Sequence, residues 1–290
     1  MDLFFQALVG GVTVGAIYAL IALGFNLIFA TTRVLNFAQG EYLMMGALFG
    51  YTMAVTWGWP LPLVILGVIV IMSMVGLVSE RMIMMPVRRA GGFAWILTTL
   101  GTSIILRNAM VIPYGREPYR LPALVDGRFN VGGVSIAYQQ LWIIAAALIL
   151  VVLNELFAHR TFFGKAIRAT AHSYDVAGLM GIPVGLTIRL SFALSAVVTG
   201  LAGVLIAPLT FADANMGLLF GLKGFVAVIV GGMGSARGAV AGGMAVGLLD
   251  TFVRSLMPAG YGNLVVFILL AVMLLFRPKG IVGQTVADAH

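Results

Sequence analysis

Apolar residues run through this chain in nine stretches: 5–30, 38–55, 61–85, 93–113, 139–158, 188–208, 218–234, 238–257 and 261–276. A helix needs about 20 such residues to cross a hydrocarbon layer. Backbone amides in lipid must be satisfied within their own segment, so a chain built this way is expected to be all-α, a polytopic helical bundle. Composition agrees: 61% of residues are hydrophobic and 9% charged, against about 25% charged in a soluble domain. The stretch 218–234 is short and interrupted by glycine, so it reads either as a span or as a re-entrant segment. That leaves eight or nine spans in one transmembrane domain covering 1–290. The first run follows a lone Asp2 and is too long for a cleaved signal, so it is expected to stay as a span.

Orientation follows from lysine and arginine. With the N-terminus outside, Arg33, Arg81, Arg88, Arg89, Arg160, Lys165, Arg168, Arg189, Arg237, Arg277 and Lys279 fall inside, 11 of the 17 cations. The bias predicts N-out, C-in, and it accounts for the net charge of +7 without nucleic acid. On the outer side, 114–138 is the main loop, with FNVGGVSI reading as a hairpin and Trp57 and Trp59 sitting where an aromatic belt belongs.

The polar stretch 159–187, HRTFFGKAIRATAHSYDVAGLMGIPVGLT, is too polar for lipid and too short for a domain. It reads as an amphipathic helix from Gly164 to about Ser173, then Asp175 as an N-cap, then a second turn ending at Gly181 before Ile182-Pro183. A small basic elbow of this kind is suited to a protein partner. Lys165 and Arg168 would supply charged contacts, and Ile167, Leu179 and Met180 apolar anchors. A solvated loop held by anionic lipid is the competing reading.

Within the spans, Asn36, Gln39 and Glu41 cluster where the second run begins. A carboxylate there either lines a translocation path or marks an interfacial helix start, with Asn36 capping and Glu41 favoured by the helix dipole. Thr98, Thr99, Thr102 and Ser103 form a second cluster, suited to helix–helix bonding or to path lining. Ser191, Ser195 and Thr199 recur every four residues as a packing seam. The glycine run 231–247 predicts a break near Gly234–Gly238 and very close helix contact or a dimerising surface.

Catalytic signatures are missing. GLLFGLKG at 217–224 has its lysine and glycine in the wrong order for a phosphate loop, and there is no HExxH and no usable GxSxG. Cysteine is absent, and His159, His172 and His290 are scattered, so no metal or cofactor is expected on this chain. Asp213 and Asp250 read as capping or solvated loop carboxylates. An ion-coupled secondary transporter is disfavoured, because Glu41 is its one candidate carboxylate and no repeat is evident.

Taken in order, GGVTVGAIYALIALGFNLIFA, LNFAQGEYLMMGA, LTTLGTSIILRN, GKAIRATAHSYDVAGLMGIPV, LAGVLIAP, GLKGFVAVIVGGMGSARGAVAGG and RPKGIVG mark a likeness that runs from about residue 8 to residue 282. They resemble the LivH-type permease subunits of ATP-binding-cassette importers for branched-chain amino acids. The resemblance implies a non-catalytic inner-membrane subunit paired with a second permease. It further implies two cytoplasmic ATP-binding subunits below and a periplasmic solute-binding protein above. Segment 164–182, with Gly164, Lys165, Ile167, Arg168, Asp175, Leu179, Met180 and Gly181, is then the coupling helix that meets the ATPase. It departs from the usual Glu-Ala-Ala loop, since Ala169-Thr170-Ala171 stands there. Related permeases also carry urea or short amides.

Overall fold

The computed structural model describes residues 2–87, 92–123, 125, 127–131, 134–258, 260–277 and 279–282. The expectations placed on Arg88, Arg89 and His290 lie outside the described residues. All nine apolar runs emerge as helix. In chain order the helices are α1 (Asp2–Thr32), α2 (Gln39–Tyr51), α3 (Leu61–Val87), α4 (Gly92–Tyr114), α5 (Tyr138–Arg160), α6 (Phe162–His172), α7 (Tyr174–Leu179), α8 (Val184–Thr210), α9 (Met216–Gly231), α10 (Ala236–Leu256) and α11 (Gly260–Phe276). A π-helical turn, Thr52–Thr56, extends α2. Between α4 and α5 lies the expected hairpin, β1 (Arg128–Val131) antiparallel to β2 (Val134–Ala137).

Six of these helices (α1, α3, α4, α5, α8 and α10) are long and apolar enough to cross a membrane. The helices α9 and α11 are apolar but shorter. The centre of the bundle is α1 and α8, whose apolar stretches are each 83% buried, against 22% for α3 and 11% for α5. Leu66, Val70, Leu97, Ile104, Leu148 and Ile149 keep the outer helices apolar on their exposed faces, as a lipid solvent requires.

Glycine sets how closely the central helices approach. A Cβ at Gly46 of α2 would lie 2.1 Å from the Gly200 carbonyl oxygen of α8, and one at Gly203 would lie 2.0 Å from the Leu43 oxygen. On α10, Cβ atoms at Gly243 and Gly247 would run into Ala19 and Gly15 of α1. The glycine run thus spends its small faces inside the chain, against α1 and α9. Of the two expectations for the run, very close helix contact is the one this packing shows. The break between α9 and α10 lies where expected, with Gly232 and Gly234 at φ 105° and 85°. Val282 and Ile281 then donate their N–H groups to the carbonyls of Gly231 and Val230, which satisfies the end of α9.

Two helices start inside the bundle rather than at its rim. After α1 the chain reverses at Arg33, and α2 begins with Gln39 bonded to Thr199, midway along α8. After α8 it reverses at Phe211, and Gly217 in the first turn of α9 packs directly on Gly40 of α2. Arg33 (φ 56°) and Phe211 (φ 64°) are the non-glycine residues with positive φ among those described. The two reversals are therefore matching backbone events on opposite sides of the bundle.

Candidate translocation path and coupling elbow

The start of α2 is held by side chains that meet no solvent. Gln39, fully buried, donates from Nε2 to Thr199 Oγ1 at 2.6 Å. Its Oε1 accepts from Ser195 Oγ at 3.0 Å, and the same hydroxyl lies 2.8 Å from the Gly24 carbonyl. One amide side chain thereby joins α1, α2 and α8. Asn36 accepts from its own Ala38 N–H at 3.0 Å and donates to Tyr42 Oη at 3.2 Å. The N-cap of α2 is Ala38, which has no capping side chain. The interfacial start with Asn36 as cap is therefore corrected: α2 begins at depth, in a polar seam.

Glu41, 2% exposed, reaches α4 instead of the helix dipole alone. Its Oε1 accepts from Arg107 at 2.5 Å and from Ser103 Oγ at 2.9 Å. Its Oε2 has no hydrogen-bond partner and faces the first turn of α9 beside Gly217. An intramembrane carboxylate is costly unless paired, and Arg107 is the partner. In the second cluster, Thr98, Thr99 and Thr102 bond back to Ala94, Ile96 and Thr98 carbonyls of their own helix. Thr99 and Thr102 are buried, and Ser103 alone of this group crosses to another helix.

The elbow is two short helices joined at a right-sized kink. Thr161 caps α6 by accepting from Gly164 N at 3.0 Å, and Ser173 caps α7 by accepting from Val176 N at 3.4 Å. Ser173, not Asp175, is thus the N-cap, and Asp175 sits exposed in the first turn. Gly164 packs onto the α5 backbone, where a Cβ would lie 2.1 Å from the Phe157 oxygen. Ile167 is 6% exposed and faces the bundle. It anchors the elbow to its own chain, which corrects its expected role as a contact for a partner. Lys165, Arg168 and Gly181 are exposed, and Arg168 bonds His159 at 2.8 Å. Leu179 and Met180 stand 88% and 78% exposed at the tip. Arg33 donates to the Ala171 carbonyl at 2.5 Å, and Tyr174 Oη donates to the Thr31 carbonyl, so the elbow is bonded to the end of α1. Burial pushes the Tyr174 phenol up, with the Arg33 guanidinium pulling it down.

Residues 7–276 match the family described as branched-chain amino acid transport system / permease component. The chain belongs to this family. Among its relatives, the high-affinity branched-chain amino acid transport system permease protein BraD of Pseudomonas aeruginosa is 32% identical over 295 residues, covering 97% of this chain and 96% of that one. The corresponding protein LivH of Escherichia coli (strain K12) is 32% identical over 297 residues, with the same coverage. PsaBC from Streptococcus pneumoniae, solved in complex with Fab, shares the fold at a TM-score of 0.52 and 15% identity, over 96% of this chain and 93% of that chain.

One buried charge cluster of this permease escaped the sequence reading. Asp250, taken for a capping or loop carboxylate, is buried in α10 at 2% exposure. It accepts from Lys223 Nζ of α9 at 2.7 Å, Arg254 Nε at 3.0 Å and Tyr18 Oη of α1 at 2.9 Å. The available signals were a lysine inside an apolar run and an aspartate four residues before an arginine. The other aspartate, Asp213, does what was expected and accepts from Asn215 N in its loop.

Proposed function

We propose that this permease moves branched-chain amino acids into the cytoplasm as the membrane subunit of an ATP-binding-cassette importer. Separate ATP-binding subunits drive it through segment 164–182. The observation that carries this reading is the elbow: a rigid two-helix element, docked by its buried face, with Leu179 and Met180 projecting at its tip. An apolar pair on a fixed short helix is what a groove in a partner needs as an anchor, and a lipid-held loop needs no such docking. Lys165 and Arg168 flank it as charged contacts.

In this reading the permease lies in the inner membrane with eight or nine spans, N-out and C-in, and the elbow is cytoplasmic. The charge bias supports it, and Arg107, Lys223 and Arg254, three of the six cations outside that inner set, are partnered within the bundle. A second permease completes the pore, a solute-binding protein docks on the side of the hairpin, and hydrolysis resides in the ATP-binding subunits. The path runs past the starts of α2 and α9, with Asn36, Gln39, Glu41, Thr98, Thr99 and Thr102 at or near it. Rocking of these half-helices alternates access.

The test is the double substitution Leu179→Asp and Met180→Asp. Both side chains are exposed, so the fold is retained. ATP-driven uptake in vesicles falls by about tenfold or more, the effect of losing an apolar anchor at an interface. Unchanged uptake at equal expression would contradict the assignment.

A further inference from the structure

The elbow touches three of the long helices in different ways. Through Gly164 and Thr161 it continues from α5, and through Pro183 it runs on into α8. Both helices are unbroken through the bundle, so a push on the elbow moves each as a rod. The end of α1 is different. Past Thr32 the chain reverses at Arg33, in the left-handed region that arginine rarely adopts, and 34–38 leads straight to the buried start of α2. That start carries Asn36, Gln39 and Glu41. A small displacement at the reversal therefore reaches the polar seam over a few residues.

Two hydrogen bonds join the elbow to this reversal, one in each direction. Arg33 donates to the Ala171 carbonyl, in the last turn of α6, where carbonyls lack intrahelical donors and a cation meets the negative end of the dipole. Tyr174 Oη, at the kink between α6 and α7, donates to the Thr31 carbonyl in the last turn of α1. The residues flanking the reversal on the bundle side are buried: Thr31 at 0% and Thr32 at 8% exposure. At the opposite end the matching reversal is held by backbone groups instead. There Ala212, next to Phe211, exchanges two backbone hydrogen bonds of 2.8 Å with Tyr119 of the loop after α4. Each half-helix is thus tied, at its turn, to an element outside the spans.

We propose that Arg33 and Tyr174 form a transmission latch that converts movement of the elbow into movement of the start of α2. They are positioning residues for alternating access and not contacts for the ATP-binding subunits. The proposal rests on the reading of 164–182 as the coupling segment.

The experiment uses the assembled importer in proteoliposomes, with ATP hydrolysis and leucine uptake measured on the same preparation. The variants are Tyr174→Phe, Arg33→Ala and the double substitution. Stimulated hydrolysis stays near wild type, since the tip that meets the ATPase is untouched. Leucine taken up per ATP falls about threefold for Tyr174→Phe and about tenfold for the double variant, as expected for losing one neutral and one charge-assisted hydrogen bond. Tyr174→Phe removes a single oxygen from a half-exposed ring, so it separates coupling from folding. Uptake per ATP that stays at the wild-type value in the double variant overturns the latch. So does a parallel fall in hydrolysis and uptake in Tyr174→Phe, which would mark a structural role. Wild-type uptake that needs no ATPase overturns the coupling reading together with the latch. Wild-type uptake that needs it, with coupling intact in the variants, overturns the latch alone.

Discussion

Asp250→Ala destabilises this permease by about 4 kcal/mol, the scale of leaving one member of a buried ion pair uncompensated. Lys223 is 3% exposed and has Asp250 as its ion-pair partner at 2.7 Å. Without the carboxylate its ammonium is stranded between α9 and α10, and the Tyr18 hydroxyl loses its acceptor. Arg254 suffers less, because it is 47% exposed and can extend towards solvent. The double variant Asp250→Leu, Lys223→Met removes both charges and recovers most of the loss, as apolar replacements of buried pairs do. Thermal unfolding in detergent reads both effects. If Asp250→Ala and the double variant were equally unstable, the loss would come from packing and the ion pair would carry no such weight.

The second large effect is at the crossing of α2 and α8. Gly46→Ala places a methyl carbon 2.1 Å from a backbone oxygen, with Gly200 Cα also within 2.4 Å. Neither atom belongs to a flexible side chain, so the two helices must part. The cost is about 3 kcal/mol, at the upper end for overpacking a filled interior. It also loosens the seam at Gln39 and Thr199, which lies beside the same crossing. Gly101→Ala in α4 is the control: nothing lies within 4 Å of its Cβ position, and alanine favours the helix. Equal melting temperatures for the two variants would refute the close crossing.

Much of the fold could be read from hydropathy. Each apolar run became a helix, the hairpin fell in the stretch FNVGGVSI, and the elbow was bounded correctly to within two residues of Phe162 and Leu179. Hydropathy reports local composition and carries no information on depth. It therefore left open whether the second run starts at an interface or as a polar break on a path, and only the bond from Gln39 to the middle of α8 fixes that start. Small residues announce close approach without naming the partner, which is why the glycines of α10 read as close helix contact or as a dimerising surface until their neighbours, Gly15 and Ala19 of α1, are seen. The charged pairs were hidden by distance along the chain. Glu41 finds Arg107 on another helix, and Asp250 finds Lys223 across the α9–α10 break. Asn36, Gln39 and Glu41 were legible as a group because unpaired polar residues are conspicuous in an apolar run. Arg33 and Tyr174 were not, since a basic residue and a tyrosine at a membrane edge are ordinary, and only the backbone reversal and the two carbonyls they reach distinguish them.

The most direct measurement of the central claim is leucine uptake into vesicles containing this permease with its partner subunits, comparing an intact ATPase with a hydrolysis-dead one. Uptake that requires the intact ATPase is the predicted result. Uptake that persists with the dead ATPase and follows an ion gradient would contradict it and make the chain a secondary transporter.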